Sequence, residues 1–274
     1  MSPNTQILLF GTMGDISGAV RKALEGHGLS VADAGFPQNV LRDEAGYRRE
    51  LLKAVERHRP GVILPIGCQI AIARMKGMLP EDVIVPVAGA EIIALLDSKT
   101  GCYSAAEAAG VPLPHRYASA EVAGGRKVIF KRDCSFGGSG VRRPKDRYAL
   151  ANLVRREEGK PCIIEDCIEG EDYSVDAVRW GGTTFYGCYR SMSWHGTGPA
   201  EAREKVDCPM LEEYAAKILD LTGYQGVCGM DFRVDKGGNA FFLECNPRFT
   251  GGVAFQHSHG FNIPYLLYRM ATEY

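Results

Sequence analysis

Apolar residues in the first third of the chain fall into short runs that alternate with amphipathic stretches. Four of these runs predict strands, at residues 6–10, 30–34, 61–66 and 83–87. Helical periodicity leads up to Leu24 and recurs over 47–58. Strands that alternate with helices at this spacing predict a parallel sheet covered on both faces. We therefore expect residues 1–95 to form an N-terminal Rossmann-like α/β domain.

After Leu96 the pattern changes to one typical of antiparallel strands mixed with helices. Strands are predicted at 127–132, 161–164, 173–189 (around a glycine turn) and 227–245 (a hairpin), and helices at 97–109, 145–158, 211–221 and 263–270. The segment 191–207 is polar and unperiodic, which predicts a long functional loop. The predicted fold class is thus α/β, with an α+β part divided into lobes at 96–165 and 166–274.

The 227–245 hairpin carries the most distinctive chemistry. Asp231 and Glu244 are predicted to face each other across it, and Asn246 follows Glu244 at the period of a strand. Three hard oxygen donors at one point suit Mg2+. Arg248 follows at the same period and offers a planar, always charged fork to a phosphate or carboxylate. A solvated polar hairpin is the plainer alternative, but the Phe-Phe-Leu run before Glu244 predicts a buried strand whose acid needs a partner.

A lysine and a glycine-rich loop lie in the middle of the chain. Lys131 ends an apolar strand, and the loop after it contains Gly137, Gly138, Ser139, Gly140 and Val141. Such a loop can place backbone N–H groups around phosphate oxygens, because glycine permits the dihedral angles and the close approach. A flexible hairpin tip is the alternative. By contrast, Gly11, Gly14 and Gly18 do not have the spacing of a dinucleotide fingerprint, so they are interpreted as loop glycines before a helix.

An apolar strand runs into acidic residues at Glu165 and Asp166 and resumes after Gly170, which predicts a hinge between two lobes. Glu165 would accept a hydrogen bond from an adenine amino group, and the backbone of Asp166, Cys167 and Ile168 would contact the edge of the base. Asp172 would hold ribose hydroxyls. Acids at the end of a strand are also typical of a solvated turn.

Composition narrows the class of protein. The 274 residues include 32 basic and 33 acidic side chains, so no bulk charge favours nucleic acid or an anionic membrane. Nine cysteines without a paired spacing fit a reducing compartment better than a disulfide framework or a zinc site. No apolar run has the length of a signal peptide or a membrane span. We expect a cytoplasmic protein with small-molecule partners, no nucleic acid and no membrane.

Taken in order, these motifs resemble the ATP-grasp superfamily. The resemblance rests on Lys99, on Lys131 with its loop, on the hinge, and on Asp231, Glu244, Asn246 and Arg248 within the sequence LECNPRFTGG. It spans residues 90–261 and is strongest to the carboxylate–amine ligase branch, the group that contains carbamoyl-phosphate synthase and biotin carboxylase.

The resemblance implies an ATP- and Mg2+-dependent ligase that activates a carboxylate as an acyl phosphate and joins it to an amine, with amino acids or peptide-like molecules as substrates. Lys99 and Lys131 are implied to touch the phosphates, and Asp231, Glu244 and Asn246 to hold two Mg2+ ions, or Mn2+ in their place. Arg248 is implied to act on the transferred phosphoryl group.

The acceptor side of the site is less defined. Arg190 is expected to face the acceptor as a second catalytic arginine, and Gly251, Gly252 and His195 to contact the substrate. His257 and His259 are expected to line the acceptor pocket or its rim. A non-catalytic ATP-binding regulatory module and a small-molecule kinase remain open as alternatives, and so does a homodimeric assembly.

Overall fold

A three-stranded parallel sheet in the order β2–β1–β3 forms the N-terminal part of the protein. The computed structural model describes residues 6–11, 14–34, 44–135, 138–193 and 202–273. The strands are β1 (Ile7–Phe10), β2 (Val31–Ala34) and β3 (Val62–Pro65), and the helices are α1 (Asp15–Glu25), α2 (Glu44–His58), α3 (Gln69–Met75) and α4 (Ala90–Asp97). The buried strands β1 and β3 are apolar on both faces, as expected for a parallel sheet covered on both sides.

The predicted strand at 83–87 is wrong. Among the described residues this segment makes only an isolated parallel bridge, in which Ile84 lies opposite Val62. Ile63 donates to the Ile84 carbonyl at 2.9 Å, but Pro86 has no N–H with which to continue the ladder.

The predicted helix at 97–109 is two helices. Ser98 is extended and separates α4 from α5 (Lys99–Ala108). Its hydroxyl accepts a hydrogen bond from Gly101 N at 3.0 Å, which is the N-cap arrangement that stabilises a helix start. Lys99 therefore occupies the first turn of a new helix.

A second three-stranded sheet, in the order β5–β4–β6, carries the predicted lysine loop and hinge. Its strands are β4 (Val128–Arg132), β5 (Val141–Arg142) and β6 (Cys162–Asp166), with helices α6 (Ala120–Ala123) and α7 (Arg147–Arg156) beside them. These elements have their own small apolar core, which includes Phe130, Leu150 and Ile164. We call them the lid sheet. Helix α5 buries Cys102 and Tyr103 in the larger core with the C-terminal strands, although the predicted lid lobe began at residue 96.

An antiparallel five-stranded sheet in the order β11–β10–β7–β8–β9 forms the C-terminal part. Its elements are β7 (Gly170–Trp180), β8 (Thr183–Ser193), β9 (Ala202–Val206), α8 (Pro209–Thr222), β10 (Gly226–Asp235), β11 (Ala240–Asn246), α9 (Val253–Ser258) and α10 (Ile263–Glu273). The predicted loop at 191–207 is wrong where it is described, because β8 extends to Ser193 and 202–206 is a strand. Charged side chains on both faces of β9 hide its alternation from the sequence.

All nine cysteines are described, and none forms a disulfide. No helix among the described residues is both long enough and apolar enough to cross a membrane.

Candidate active site

One cavity of about 500 Å³ is lined by residues of the lid sheet and of the five-stranded sheet. Fourteen of the sequence-predicted site residues line it: Lys99, Lys131, Gly138, Val141, Glu165, Asp166, Cys167, Ile168, Asp172, Asp231, Glu244, Asn246, Arg248 and Gly251. A larger cavity of about 750 Å³ beside residues 111–118 is lined by none of the predicted site residues that the structure describes.

The hairpin β10–β11 brings its acids together as the sequence predicts. Asp231 is the cross-strand partner of Glu244, and a bulge follows directly after Asp231. Burial, and next the charge of Glu244, raise the pKa of Asp231 to about 7. Ser174 on β7 donates to the Asp231 carboxylate at 2.8 Å. Two carboxylates in such proximity, without a lysine or arginine within 4 Å of Asp231 among the described side chains, suit a bound cation.

Asn246 and Arg248 extend this cluster. Arg248 Nη2 donates to Asn246 Oδ1 at 3.0 Å, so the two side chains fix each other's direction. Arg248 Nε is buried and has no hydrogen-bond partner among the described residues. A buried donor of this kind is available to a ligand.

Lys99 reaches the same point from α5. Its ammonium lies 3.1 Å from Glu244 Oε2, although the side chain is only 7% exposed. The start of α5 is fixed by Asp133, which directly follows β4 of the lid sheet. Its carboxylate accepts from Thr100 N at 2.7 Å and from the Ser98 hydroxyl at 3.1 Å. Lys99 is thus held at the junction of the lid sheet and the C-terminal part.

Lys131 is enclosed by a network that the sequence does not reveal. Its ammonium contacts Glu165 Oε1 at 2.7 Å, the Tyr103 hydroxyl at 2.9 Å and the Leu243 carbonyl at 3.3 Å. Tyr103 in turn donates to Glu165 Oε2 at 2.6 Å. An ammonium has three N–H donors, and this network uses all three. Lys131 therefore has to exchange one of these contacts in order to touch a phosphate.

The same network changes the expectation for the hinge. The Glu165 side chain is 2% exposed, and both of its oxygens are paired, so its carboxylate is committed inside the protein and not presented to a base. The Asp166 and Cys167 N–H groups are bonded to His115 and Lys127 carbonyls, at 2.9 and 3.0 Å. The other backbone groups of the hinge are therefore the ones available to hydrogen-bond a nucleotide base.

Asp172 lines the cavity but is paired. Arg233 Nε lies 2.6 Å from its carboxylate. Burial raises the pKa of Asp172, and the Arg233 charge opposes that rise. A ribose hydroxyl would share this carboxylate with Arg233.

The glycine loop is only partly at the cavity. Gly138 and Val141 line it, whereas Ser139 and Gly140 do not, and Gly137 lies outside the described residues. A Cβ on Gly140 would lie 2.2 Å from Ser135 Oγ, so glycine is required there for close packing. Arg132 donates to the carbonyls of Ser139 and Gly140, at 3.1 and 3.0 Å.

The expected second arginine is not at the cavity. Strand alternation places Arg190 on the face of the sheet opposite to Ser191, which lines the cavity. The Arg190 guanidinium is instead paired with Glu204 at 2.7 Å and Glu171 at 3.5 Å. The guanidinium at this end of the cavity belongs to Arg203 on β9, a residue that the sequence did not single out because its strand was predicted as a loop.

Other acceptor-side predictions have mixed outcomes. Gly251 lines the cavity, but Gly252 does not, and its N–H is bonded to the Thr250 hydroxyl at 3.2 Å. His195 lies outside the described residues. His257 and His259 do not line the cavity. The ring of His259 stacks on Phe255 at 3.9 Å.

Two more cavity residues were missed, although a signal for them exists. Ser174 and Asp176 follow Asp172 at the period of a strand, so all three face the cavity from β7. Asp176 is 2% exposed. Burial raises its pKa to about 6, against the opposing charge of Arg203.

The cavity thus combines a carboxylate pair suited to a divalent cation, two lysines and an arginine suited to phosphates, and a hinge that offers backbone groups. Such an arrangement can bind a nucleoside triphosphate together with its metal ion and can stabilise a phosphoryl group during transfer.

Comparison with known families agrees with this geometry. Residues 158–274 match a family described as "ATP-grasp in the biosynthetic pathway with Ter operon". The carbamoyl phosphate synthase large chain of Thermoplasma acidophilum is 23% identical over 267 residues, which cover 87% of this chain and 25% of that protein. The chain therefore spans about a quarter of the length of this curated relative.

Solved structures show the same fold. A biotin carboxylase in complex with β,γ-ATP from Campylobacter jejuni has a TM-score of 0.77 at 18% identity, covering 98% of this chain and 71% of that one. The L-amino acid ligase from Bacillus licheniformis has a TM-score of 0.74 at 16% identity, covering 99% of this chain and 75% of that one. At these identities the likeness establishes the fold.

Proposed function

We propose that the chain is a member of the ATP-grasp superfamily and an ATP-dependent ligase that activates a carboxylate as an acyl phosphate and joins it to an amine. The family match over residues 158–274 and the shared fold support this proposal. Amino acids or peptide-like molecules are the proposed substrates. The observation that carries the proposal is the cross-strand Asp231–Glu244 pair, flanked by Lys99 and Arg248 in a cavity that also contains the hinge. A fold match alone would not argue for catalysis, but this cluster does.

The donor set fits Mg2+, with Asp231, Glu244 and Asn246 as the proposed ligands. Their hard oxygens suit the ion, and the raised pKa of Asp231 reflects burial and a negative neighbour whose charge a bound cation would neutralise. When bound, one or two such ions would neutralise charge on the phosphates of ATP.

The protein's own residues would position the reactants and absorb charge. A carboxylate oxygen attacks the γ-phosphorus of ATP, and ADP leaves. The amine, once its ammonium has lost a proton to solvent, attacks the acyl carbon, the C–O bond breaks, and phosphate leaves while the nitrogen releases its second proton. Lys99 and Lys131 would contact the phosphates, and Arg248, with its unpartnered Nε, would bind the transferred phosphoryl group. Closure of the lid sheet would exclude water from the acyl phosphate.

Charge rearrangement would accompany ATP binding. Lys99 and Lys131 are each paired with a glutamate, so phosphates compete with Glu244 and Glu165 for these ammonium groups. Mg2+ would also bind Glu244. Phosphate that binds Lys99 would free Glu244 for Mg2+, and Mg2+ that binds Glu244 would free Lys99 for phosphate, so metal and nucleotide are expected to bind cooperatively.

Product analysis tests the proposal against its two alternatives. Purified protein is incubated with ATP, Mg2+ and pooled L-amino acids, and ADP, free phosphate and condensed products are measured by chromatography and mass spectrometry. A ligase forms all three in equal amounts. A kinase forms ADP and a phosphorylated product without free phosphate, and a nucleotide sensor forms no ADP. Glu244→Gln is the control for contaminating ATPases.

We also propose a reducing compartment for the protein and leave open a homodimeric assembly. Nine free cysteines fit a reducing compartment such as the cytoplasm. Light scattering would decide whether the chain forms the homodimer that its sequence leaves open.

A further inference from the structure

Asp176, Arg203 and Thr250 line one end of the cavity, which we call the acceptor end. The buried carboxylate of Asp176 has no assigned role in ATP binding. Asp176 is 2% exposed, and no lysine or arginine nitrogen of the described residues lies within 4 Å of it. Its partners are the Thr250 hydroxyl at 3.2 Å and the Gln256 side-chain amide. Among the residues that the structure describes, neutral groups alone contact this carboxylate, and a buried carboxylate so held is costly unless a cationic partner completes the site.

Two further acceptor atoms lie near Asp176 without a partner in the described part of the chain. The Tyr189 hydroxyl and Gln256 Oε1 are buried without a hydrogen bond among the described residues. Gly187 is the cross-strand partner of Asp176, and a Cβ on Gly187 would lie 2.6 Å from the Tyr189 hydroxyl. The phenol oxygen therefore lies over the strand position directly opposite Asp176. Unpaired buried oxygens of this kind point to a missing donor.

A guanidinium stands next to these oxygens. A Cβ on Gly252 would lie 2.5 Å from Arg203 Nη1 and 3.0 Å from Gln256 Nε2, so both groups cover the same glycine. Arg203 has no carboxylate within 4 Å among the described residues. It lines the cavity together with Asp176 and supplies a planar fork for a ligand carboxylate.

We propose that these groups form the subsite for the amine co-substrate, which binds as a zwitterion carrying both an ammonium and a carboxylate. The three N–H donors of the ammonium would match the Asp176 carboxylate, Gln256 Oε1 and the Tyr189 hydroxyl. The carboxylate of the same molecule would bind Arg203. The inference rests on the proposed function, because it identifies where one substrate of that reaction binds.

Close packing fixes the position of the Asp176 carboxylate beside β10. A Cβ on Gly229 would lie 2.8 Å from Asp176 Oδ1 and 2.4 Å from Thr250 Cγ2, so glycine is needed where β10 passes this carboxylate. The competing explanation is an internal role in which Arg203 merely offsets the charge of Asp176. In that case neither group would contribute to ligand binding.

Calorimetric titration separates these explanations. The intact protein, loaded with Mg2+ and a nonhydrolysable ATP analogue, is titrated with each proteinogenic L-amino acid in turn. The tightest binder is then compared with its N-acetyl derivative, which lacks the ammonium, and its methyl ester, which lacks the carboxylate. We expect the Kd of each derivative to exceed that of the parent amino acid by a factor of about ten or more, because each loses hydrogen bonds to a charged group.

Variants locate the effect. Asp176→Asn and Arg203→Gln should each weaken the amino acid about tenfold or more, and the affinity for the ATP analogue should stay unchanged. Arg190→Gln is the matched control, since it removes a guanidinium from the opposite face of the same sheet. Tyr189→Phe, which deletes one hydroxyl, should weaken binding by a smaller factor and serves if Asp176→Asn fails to fold.

The proposal is overturned if no amino acid binds, if the N-acetyl derivative binds as tightly as the parent, or if Asp176→Asn leaves binding unchanged. These results do not depend on turnover. A protein that forms ADP, phosphate and product while Asp176→Asn keeps the wild-type KM for the amine would refute this subsite but leave the ligase intact. Amino acid binding that requires Asp176, without any ADP formation, would refute the ligase and retain the subsite.

Discussion

The two ends of the cavity neutralise their charges in different ways. At the nucleotide end, ion pairs within the protein join Lys131 to Glu165 at 2.7 Å and Arg233 to Asp172 at 2.6 Å. At the acceptor end, Asp176 and Arg203 have no ion pair within 4 Å among the described residues. One end is organised by its own side chains, whereas the other offers separate charges to a ligand.

This difference predicts opposite costs of binding. A ligand at the nucleotide end must replace contacts that already exist, so its affinity reflects an exchange of partners. A ligand at the acceptor end supplies partners that the described residues do not provide, so its affinity depends directly on its own charged groups. Substitutions should therefore change stability at the nucleotide end and ligand selectivity at the acceptor end.

The largest effect is expected at the metal ligands, where the two ends meet. Glu244→Gln removes one charge from the Asp231–Glu244 pair and should lower turnover by about a thousandfold or more, because charge neutralisation by a bound ion supplies several kcal/mol. The free protein should remain folded. ADP formation measured alongside circular dichroism tests this, and wild-type ADP formation in the variant would contradict the assignment.

Two arginines, one at the cavity and one on the far face of the sheet, test where the reaction occurs. Arg248→Ala should reduce turnover by about a hundredfold, with little change in ATP affinity, because its contact is made to the group in transfer. Arg248→Lys retains charge but loses the fork, so it should recover little. Arg190→Ala should leave turnover near the wild-type value. Equal losses in the two alanine variants would contradict the assignment of the reactive arginine to the cavity.

The paired lysine makes the nucleotide end measurable without turnover. Lys131→Met leaves the buried Glu165 carboxylate without its cation, and breaking such a pair typically destabilises a protein by about 3–5 kcal/mol. The double variant Lys131→Met/Glu165→Gln should recover most of this stability but not the ATP affinity. Urea unfolding and titration with an ATP analogue measure the two effects separately. Recovery of both by the double variant would mean that Lys131 does not contact nucleotide.

The smallest expected effect is a dependence on pH. Because the pKa of Asp231 is about 7, protons compete with Mg2+ for it, and lowering the pH from 7 to 6 should weaken Mg2+ binding about fivefold. The free protein should respond in the opposite direction. A carboxyl whose pKa is raised by folding stabilises the protein below its unfolded pKa, and this contribution is lost as the pH rises through about 7. Asp231→Asn should abolish both dependences, as titrations and thermal melts at several pH values would reveal.

Sequence patterns predict more of the residues that line the nucleotide end than of those that line the acceptor end. The lysines, the hinge and the hairpin acids lie on local patterns, and strand periodicity was sufficient to pair Asp231 with Glu244. Tyr103 could not be recognised, since its hydroxyl acts on Lys131 and Glu165 only through tertiary packing. The same periodicity, followed along β7 from Asp172, predicts that Asp176 faces the cavity.

The acceptor end is assembled from β7, β8, β9 and α9. This explains why Arg190 was wrongly predicted to face the acceptor. Whether an arginine on β8 faces the cavity depends on the register of β8 against β7, and the sequence does not specify that register. Arg203 lies on a strand without an apolar face, so no pattern marked it. The α/β fold class was confirmed by the structural likeness, while the boundaries of the predicted lobes stay a prediction.

Isotope transfer tests the central claim most directly. Wild-type protein is incubated with ATP, Mg2+ and pooled L-amino acids whose carboxylates carry oxygen-18, and the free phosphate is analysed by mass spectrometry. An acyl phosphate route transfers one carboxylate oxygen to each phosphate released, so we predict phosphate that contains one oxygen-18 atom together with a condensed product. Unlabelled phosphate would show that water attacks ATP directly, and it would contradict the proposed ligase.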